Sequence, residues 1–268
     1  MKRVQPEEAW PATWKAVYGY DLAEIYGEPD VLGYAYAYDA RRAHTLRLID
    51  SVLQPGARIL DLAAAQGNFT LALAEKGYRV TWNDLRAELA DYVAQKYEFG
   101  EVNYAPGNAF ELEGSEPFDA VLITEIIEHV AHPDEFLRKV ARLAGPGGYI
   151  VMTTPNGAYF QNRLAKFSDF PDPSVFESAQ FQPNADGHIF LLHPDEIEQL
   201  ARAAGLEVVE LSLFTNPLTA GYIKTEALLR VLPRAAIGAA EALGAKLPRR
   251  VREKLLIHAA ALFRVPAG

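Results

Sequence analysis

The feature that most constrains this chain is a change of period at residue 57. From there on, short apolar runs alternate with helical stretches. The runs are Arg58 to Leu62, Tyr78 to Asp84, a segment near Val102 to Ala105, Phe118 to Thr124 and Tyr149 to Thr154. Helical spacing fills the intervals to about Lys76, through Tyr97, and over residues 134–144, where Pro146-Gly147-Gly148 turns the chain. Buried strands separated by helices build βαβ units with right-handed crossovers, which predicts an α/β fold with a mostly parallel sheet and helices on both faces.

The flanks read differently. Residues 1–54 are aromatic and predict a helical cap; Tyr34, Tyr36 and Tyr38 alternate as in a strand, but their neighbours favour helix, with Pro55-Gly56 as the stop. Residues 155–193 begin without periodicity and are rich in proline, which predicts a long loop or lid. A helix from Pro194 to Ala204 and a strand from Leu206 to about Leu213 restore the pattern. The last segment, 215–268, predicts helices broken by Pro233 and Pro248, with residues 255–265 as a closing strand or a final helix. The expected organisation is therefore a cap over 1–54, a core over 55–214 that carries the lid, and a C-terminal elaboration.

Composition removes several functions. Without cysteine there is no disulfide framework, thiolate zinc site, iron–sulfur cluster or thiol nucleophile, and any metal must use His, Asp or Glu. The formal charge of −9 is uneven: residues 221–268 carry nine Lys or Arg against three Glu, a net of +6, so the preceding 220 residues carry −15. An acidic body argues against an extended nucleic-acid footprint. The basic stretch 246–256 beside an apolar run keeps peripheral contact with an anionic membrane open, against the plainer reading of a solvated face. MetLysArgVal runs into Gln, Pro and Glu, and no stretch of about 18 apolar residues follows, so the expected location is cytoplasmic. Self-association into a homo-oligomer is left open.

Chemistry concentrates at the strand ends. Asp61 closes the first run, and a loop of small residues containing Ala63, Ala65 and Gly67 leads into a helix, where a ligand can approach the backbone and free N–H donors. The G-x-G-x-x-G and Walker A patterns are both absent, which weakens a nicotinamide oxidoreductase or phosphate-cradle reading. The second run ends in Asn83-Asp84, followed by Leu85, placing a carboxylate where both hydroxyls of a ribose can donate to it. Asn108, Ala109 and Phe110 follow the third run and offer an amide edge and an apolar face to a purine.

These ordered motifs resemble the class I S-adenosylmethionine-dependent methyltransferases. Asp61, Ala63, Ala65 and Gly67 stand in the places of D-x-G-x-G-x-G, with alanine for two of the glycines; Asp84 matches the ribose-binding acid, and Asn108 replaces the commoner aspartate beside adenine. Pro146-Gly147-Gly148 and Gly205 match the turns before the fifth and sixth strands. The resemblance covers about residues 54–214 and implies a Rossmann-like fold with a seven-stranded sheet. It also implies an S-adenosylmethionine site made of Asp61, Ala63, Ala65, Gly67, Asn83, Asp84, Leu85, Asn108, Ala109, Phe110, Thr124 and Glu125.

After the fourth run comes Glu125-Ile126-Ile127-Glu128-His129. Continued as a helix, it puts Glu125, Glu128 and His129 on one face and turns Ile126 and Ile127 inward. The segment resembles the branch of ubiquinone-pathway O-methyltransferases and small-RNA 2′-O-methyltransferases. That likeness implies a divalent metal (Mg, Mn, Fe or Zn) on Glu125, Glu128, His129 and a later His188, with His193 as a less apt substitute. Such an ion would hold neighbouring hydroxyls and acidify the attacking one. A metal-free reading has Glu125 orienting the cofactor, Glu128 solvated on a helix, His129 as general base and His188 packing the lid.

The expected activity is O-methylation of a small-molecule hydroxyl, on a phenol, a sugar or a lipid-linked intermediate, with His129 and Glu128 as catalytic residues. N-methylation of a small amine and a non-catalytic S-adenosylmethionine-binding role stand as alternatives. The lid aromatics from Tyr159 to Phe181 either shape a planar acceptor site or pack the lid onto the body, the second being the plainer assignment. The tyrosines at 18, 20, 34, 36 and 38 divide in the same way between a cap over the cofactor and helix packing.

Overall fold

A computed structural model describes residues 1–112, 116–180 and 187–267. Phe181, at the end of the lid aromatics, lies outside them. The first two helices, α1 (Ala12–Glu24) and α2 (Leu32–Val52), form the N-terminal segment. There follow β1 (Arg58–Leu62), α3 (Asn68–Glu75), β2 (Arg79–Asn83), α4 (Leu89–Lys96), β3 (Glu101–Tyr104), β4 (Ala120–Thr124), α5 (Pro133–Ala144) and β5 (Tyr149–Pro155). The chain ends with α6 (Pro194–Ala203), β6 (Glu207–Phe214), α7 (Glu226–Leu229), α8 (Arg234–Ala245), α9 (Arg249–Leu255) and β7 (His258–Arg264). Residues 255–265 thus supply a closing strand rather than a helix.

The seven strands form one sheet in the order β3-β2-β1-β4-β5-β7-β6, parallel throughout except for β7, which runs antiparallel to both β5 and β6. Strand order reverses between β1 and β4, and the crevice outside the carboxyl ends of the strands at such a reversal is where open α/β sheets bind ligands. Because β7 is antiparallel, its first residue reaches the same rim: His258 is in register with Pro155 of β5 and Phe214 of β6.

Local sequence explains the helices that brace this edge. α5 begins on Pro133, which loses no hydrogen bond there, carries Asp134 and Glu135 in its first turn, and buries Phe136, Leu137, Val140, Leu143 and Ala144. Gly145 stops it with φ 66°, a left-handed conformation that favours glycine. The same face packs with Leu60, Val121, Ile123, Ile150 and Met152 of the sheet into the principal core.

The N-terminal helices are tied to the body by polar as well as apolar contacts. Trp10 pairs edge-on with Trp14, Tyr18 and Tyr92 of α4, and Trp14 also with Tyr92, with centroids 5.6 to 5.8 Å apart. Gly33 lies so close to the carbonyl of Ala220 that a Cβ would sit 2.2 Å from its oxygen. Glu226 of α7 accepts from the backbone N–H groups of Leu32 and Gly33, fastening the start of α2 to the C-terminal segment.

The described residues of the lid pack onto the body. Asn156 donates to the carbonyls of Glu253 and Leu256, and Phe167, Phe170 and Phe176 surround the buried Phe190 at 5.3, 6.3 and 6.0 Å. For these aromatics, packing onto the body is what the structure displays. Arg249, in the basic stretch, pairs with Glu253 and with Glu198 of α6. No helix among the described residues is long and apolar enough to cross a membrane.

Candidate functional site

The loop after β1 makes its turn with three left-handed residues, Ala63 (φ 58°), Ala65 (φ 46°) and Gly67 (φ 70°). Only glycine adopts this conformation freely, so both alanines carry strain of about 1–2 kcal/mol. Ala65 is nevertheless held firmly: its N–H donates to Asp84 and its carbonyl accepts from the Trp82 indole at 3.0 Å. A Cβ on Gly67 would lie 2.8 Å from both methyls of Val93, so that position is closed to alanine. Ala65→Gly is expected to raise stability by about 0.5 kcal/mol, the strain relieved less the added freedom of the unfolded chain. Urea denaturation checks this; a loss of about 1 kcal/mol, as for an alanine in ordinary helix, contradicts it.

A cleft of about 380 Å³ opens above this loop. Ala63, Ala64, Ala65 and Gln66 form its floor, Tyr20, Tyr34 and Tyr38 stand on the side of the N-terminal helices, and Arg41, Thr124, Glu125 and Arg86 close it. Two of the N-terminal helix tyrosines thus wall the cleft while exposed, Tyr20 and Tyr34, whereas Tyr38 is buried.

The remaining residues of the expected cofactor set have definite places. Asp61 is buried a layer below the cleft, where its Oδ2 accepts from the Thr70 hydroxyl at 2.5 Å and burial pushes its carboxyl up to about 7. Asn83 spends its amide on the carbonyls of Ala105 and Gly107, at 2.6 and 3.0 Å, fixing the loop after β3 against the end of β2. In that loop Asn108 accepts from the Phe110 N–H, Ala109 is buried, and Phe110 packs edge-on against Phe136. Leu85 is exposed.

Asp84 is almost fully buried, and its carboxylate accepts four hydrogen bonds. Ala65 N–H, Arg86 N–H, Arg86 Nε and Arg86 Nη2 donate at 2.9, 2.9, 2.9 and 3.0 Å. About four acceptor positions are all that a carboxylate has. A further donor would reach Asp84 only by displacing one of these, and the half-exposed Arg86 guanidinium supplies two of the four.

Arg41 on α2 was not among the expected residues. It sits between Glu125 at 3.2 Å and Glu24 at 3.8 Å, over the ring of Tyr38, and its buried Nε has no hydrogen-bond partner among the described residues. Across from it, Oε1 of Glu125 is likewise unpartnered. An orphaned cationic donor and an orphaned carboxylate oxygen on the walls of one cleft fit the carboxylate and ammonium of a bound amino acid moiety, as the methionyl part of S-adenosylmethionine presents.

The Glu-x-x-Glu-His segment is not one helix face. Glu125 is itself left-handed (φ 52°), and only Ile127–His129 form a short 3-10 turn. That break separates the two carboxylates: Glu125 turns to Arg41, while Glu128 is fully buried rather than solvated, and its Oε2 accepts from Thr154 at 2.9 Å. Burial and the neighbouring Glu125 charge push the Glu128 carboxyl well above the ordinary range. Burial pushes Glu125 the same way, but Arg41 and His258 outweigh it and hold that group below its usual value.

Glu128, His129 and His188 offer ligand atoms that all lie within 4.8 Å of one another. The imidazoles of His129 and His188 meet edge-on at 5.0 Å, and the Glu128 carbonyl accepts from the Ile189 N–H, which brings the end of the lid to this turn. Oε1 of Glu128 has no hydrogen-bond partner among the described residues. One carboxylate and two imidazoles with a vacant oxygen suit a divalent ion. Glu125 is not part of that trio, and His193 instead caps α6, its N–H donating to Glu196.

Comparisons with known proteins agree with this geometry. Residues 34–211 match the family described as "Methyltransferase domain". A protein named ubiquinone biosynthesis O-methyltransferase from Caulobacter sp. (strain K31) is 31% identical over 180 residues, 63% of this chain and 68% of that protein. One of the same name from Pseudomonas aeruginosa (strain UCBPP-PA14) is 32% identical over 174 residues, 62% of this chain and 72% of that protein. Among solved structures, the N-methyltransferase NodS from Bradyrhizobium japonicum WM9 in complex with S-adenosyl-L-homocysteine superposes with a TM-score of 0.53 at 15% identity, covering 96% of this chain and 100% of that one. The [4+2]-cyclase SpnF gives 0.52 at 17%, covering 86% and 83%. At such identities the likeness is one of fold, which different chemistries share.

Proposed function

The chain belongs to the class I S-adenosylmethionine-dependent methyltransferases, and from that premise we propose that it methylates an oxygen of a small-molecule acceptor with the help of a divalent ion. The observation that carries this reading is the Glu128, His129 and His188 trio at the carboxyl end of β4. Both relatives described above, from Caulobacter and Pseudomonas, are named O-methyltransferases, which supports it.

Bound in the cleft, the cofactor supplies an electrophilic methyl on a sulfonium. The chain's own residues then do four things. Arg41 and Glu125 hold the two ends of the amino acid moiety. Asp84, released by Arg86, accepts from the ribose hydroxyls. The turn from Ala63 to Gly67 lets the ligand approach backbone closely. Glu128, His129 and His188 would hold the ion, which would supply Lewis acidity to an acceptor hydroxyl. Burial and the Glu125 charge hold the Glu128 carboxyl above its ordinary range, so ion binding there would be coupled to proton release.

The test uses 1,2-dihydroxybenzene and benzylamine as acceptors, with release of S-adenosylhomocysteine as readout. Turnover is expected on the diol, restored by Mn²⁺ after dialysis against chelator and lowered about tenfold or more without it. Calorimetry should find one Mn²⁺ per chain, lost in Glu128→Ala and His188→Ala. Full activity in chelator without bound metal removes the ion from the reading; turnover on benzylamine alone favours N-methylation.

A further inference from the structure

A second chamber, of about 330 Å³, lies beside the cofactor cleft, and its volume is in the range of small-molecule sites. Pro155, Asn156, Tyr159 and His188 line it together with Tyr222, Ile257 and His258. Glu125, which borders the cleft, lies close enough to act electrostatically on His188, Tyr222 and His258 in the chamber. His188 belongs both to this lining and to the trio after β4. The family match ends at residue 211, so Tyr222, Ile257 and His258 come from the part of the chain beyond it.

The polar groups of the chamber are unequal. Asn156 spends its amide on the carbonyls of Glu253 and Leu256, and its Oδ1 accepts from the Ala158 N–H; Asn162 is engaged with Gly157 and Leu164. The His258 side chain has no hydrogen-bond partner among the described residues, and its Nδ1 is buried. An unpaired polar atom in such a place costs about 1–3 kcal/mol, and a native structure retains it where something pairs with it in use. The ring does not wander: it stacks on Phe214 at 5.5 Å and 24°, and Phe214 stacks in turn on His44 at 4.4 Å and 17°. Burial lowers its pKa to about 4, so at neutral pH it is an uncharged imidazole. Among the described residues that line the chamber there is no Asp, Glu, Lys or Arg.

We infer that this chamber is the acceptor site, that it takes an uncharged ring compound bearing a hydroxyl, and that the imidazole of His258 pairs with that hydroxyl and turns its oxygen toward the cofactor cleft. The inference rests on the methyltransferase reading. It adds a specificity-determining residue from β7, with Tyr159 and Tyr222 as the faces against which the ring packs.

The experiment saturates the protein with S-adenosylhomocysteine, confirmed by calorimetry, and measures binding of phenol and of anisole by saturation-transfer NMR. Anisole keeps the ring and oxygen of phenol but has no hydroxyl proton to give. Phenol is expected to bind about fivefold tighter than anisole, the worth of one hydrogen bond. His258→Leu should bring the two ligands together when both are measured at saturating S-adenosylhomocysteine. Tyr222→Ala, at an exposed position that tolerates truncation, should weaken both ligands alike and keep their ratio. Equal affinity in the wild type, no phenol binding, or a phenol preference that survives His258→Leu overturns the inference while the methyltransferase reading stands. Failure of S-adenosylhomocysteine to bind the wild type overturns both.

Discussion

Asp21→Ala is expected to cost the fold about 3–5 kcal/mol, because it strands a buried ammonium. Lys96 and Asp21 are both fully buried, with Nζ and Oδ2 2.7 Å apart. The Lys96 ammonium also donates to Asn68 Oδ1 at 2.5 Å, and Tyr92 donates to Asp21 at 2.7 Å. Burial pulls the pKa of Lys96 down, and Asp21 opposes that shift. Take the carboxylate away and the desolvation remains with one amide oxygen to offset it. The double variant Asp21→Ala with Lys96→Met should recover most of the loss, since an apolar pair of similar volume is often as stable as a buried ion pair. Urea denaturation of wild type, both single variants and the double variant measures the coupling; a single-variant loss under about 1 kcal/mol would show that the pair is solvated in solution.

That pair matters beyond stability because of what hangs on it. Asn68, the first residue of α3, donates to both Asp21 and Glu24, and Glu24 also receives Gln66 and the Tyr34 hydroxyl and stands beside Arg41. One hydrogen-bonded chain therefore runs from the floor of α4 through α1 to the cleft wall. The N-terminal helices are not a cap added to a finished site; they carry the cation and half of the wall that the cleft requires.

The sheet could be read from the sequence because buried parallel strands are short apolar runs, and each run from Arg58 to Thr154 falls on the strand that the structure places there. The glycine-poor loop was readable too, since Ala63 and Ala65 take up the left-handed conformations that the motif requires. What failed was local phase. A helical projection of Glu125, Glu128 and His129 assumes continuous α geometry, and a single left-handed residue at Glu125 breaks it without altering the pattern of apolar residues. Arg41 and His258 escaped for another reason: each comes from an element far along the chain, on α2 and β7. A signal existed in both cases. Arg41 follows the aromatic stretch Tyr34 to Tyr38, though Asp39, Arg42 and Arg47 stand near it; His258 is the one polar residue in the run from Leu255 to Phe263, and a polar group inside an apolar element wants a partner.

Asp84→Ala is expected to weaken S-adenosylhomocysteine binding about a hundredfold, since two hydroxyl-to-carboxylate hydrogen bonds are lost and each is worth about 1.5 kcal/mol or more. The sign of the companion variant is the sharper test. In the free protein the Asp84 carboxylate is saturated, three of its four donors belonging to Arg86, and the ribose must evict the guanidinium before it can bind. The Arg86 side chain is half exposed, so the ion pair that must be broken is partly screened and worth about 1 kcal/mol or less. Arg86→Ala is therefore expected to tighten S-adenosylhomocysteine about threefold to fivefold, where removing a cation from a site for a nucleoside would ordinarily be read as harmless or damaging. The gain should shrink as salt rises, because salt already weakens the pair in the wild type. Calorimetric titration at low and high salt reads both effects. Weaker binding by Arg86→Ala at every salt concentration would mean that the guanidinium contacts the ligand instead of competing with it, and Asp84 would then act on the ribose through Arg86 rather than in its place.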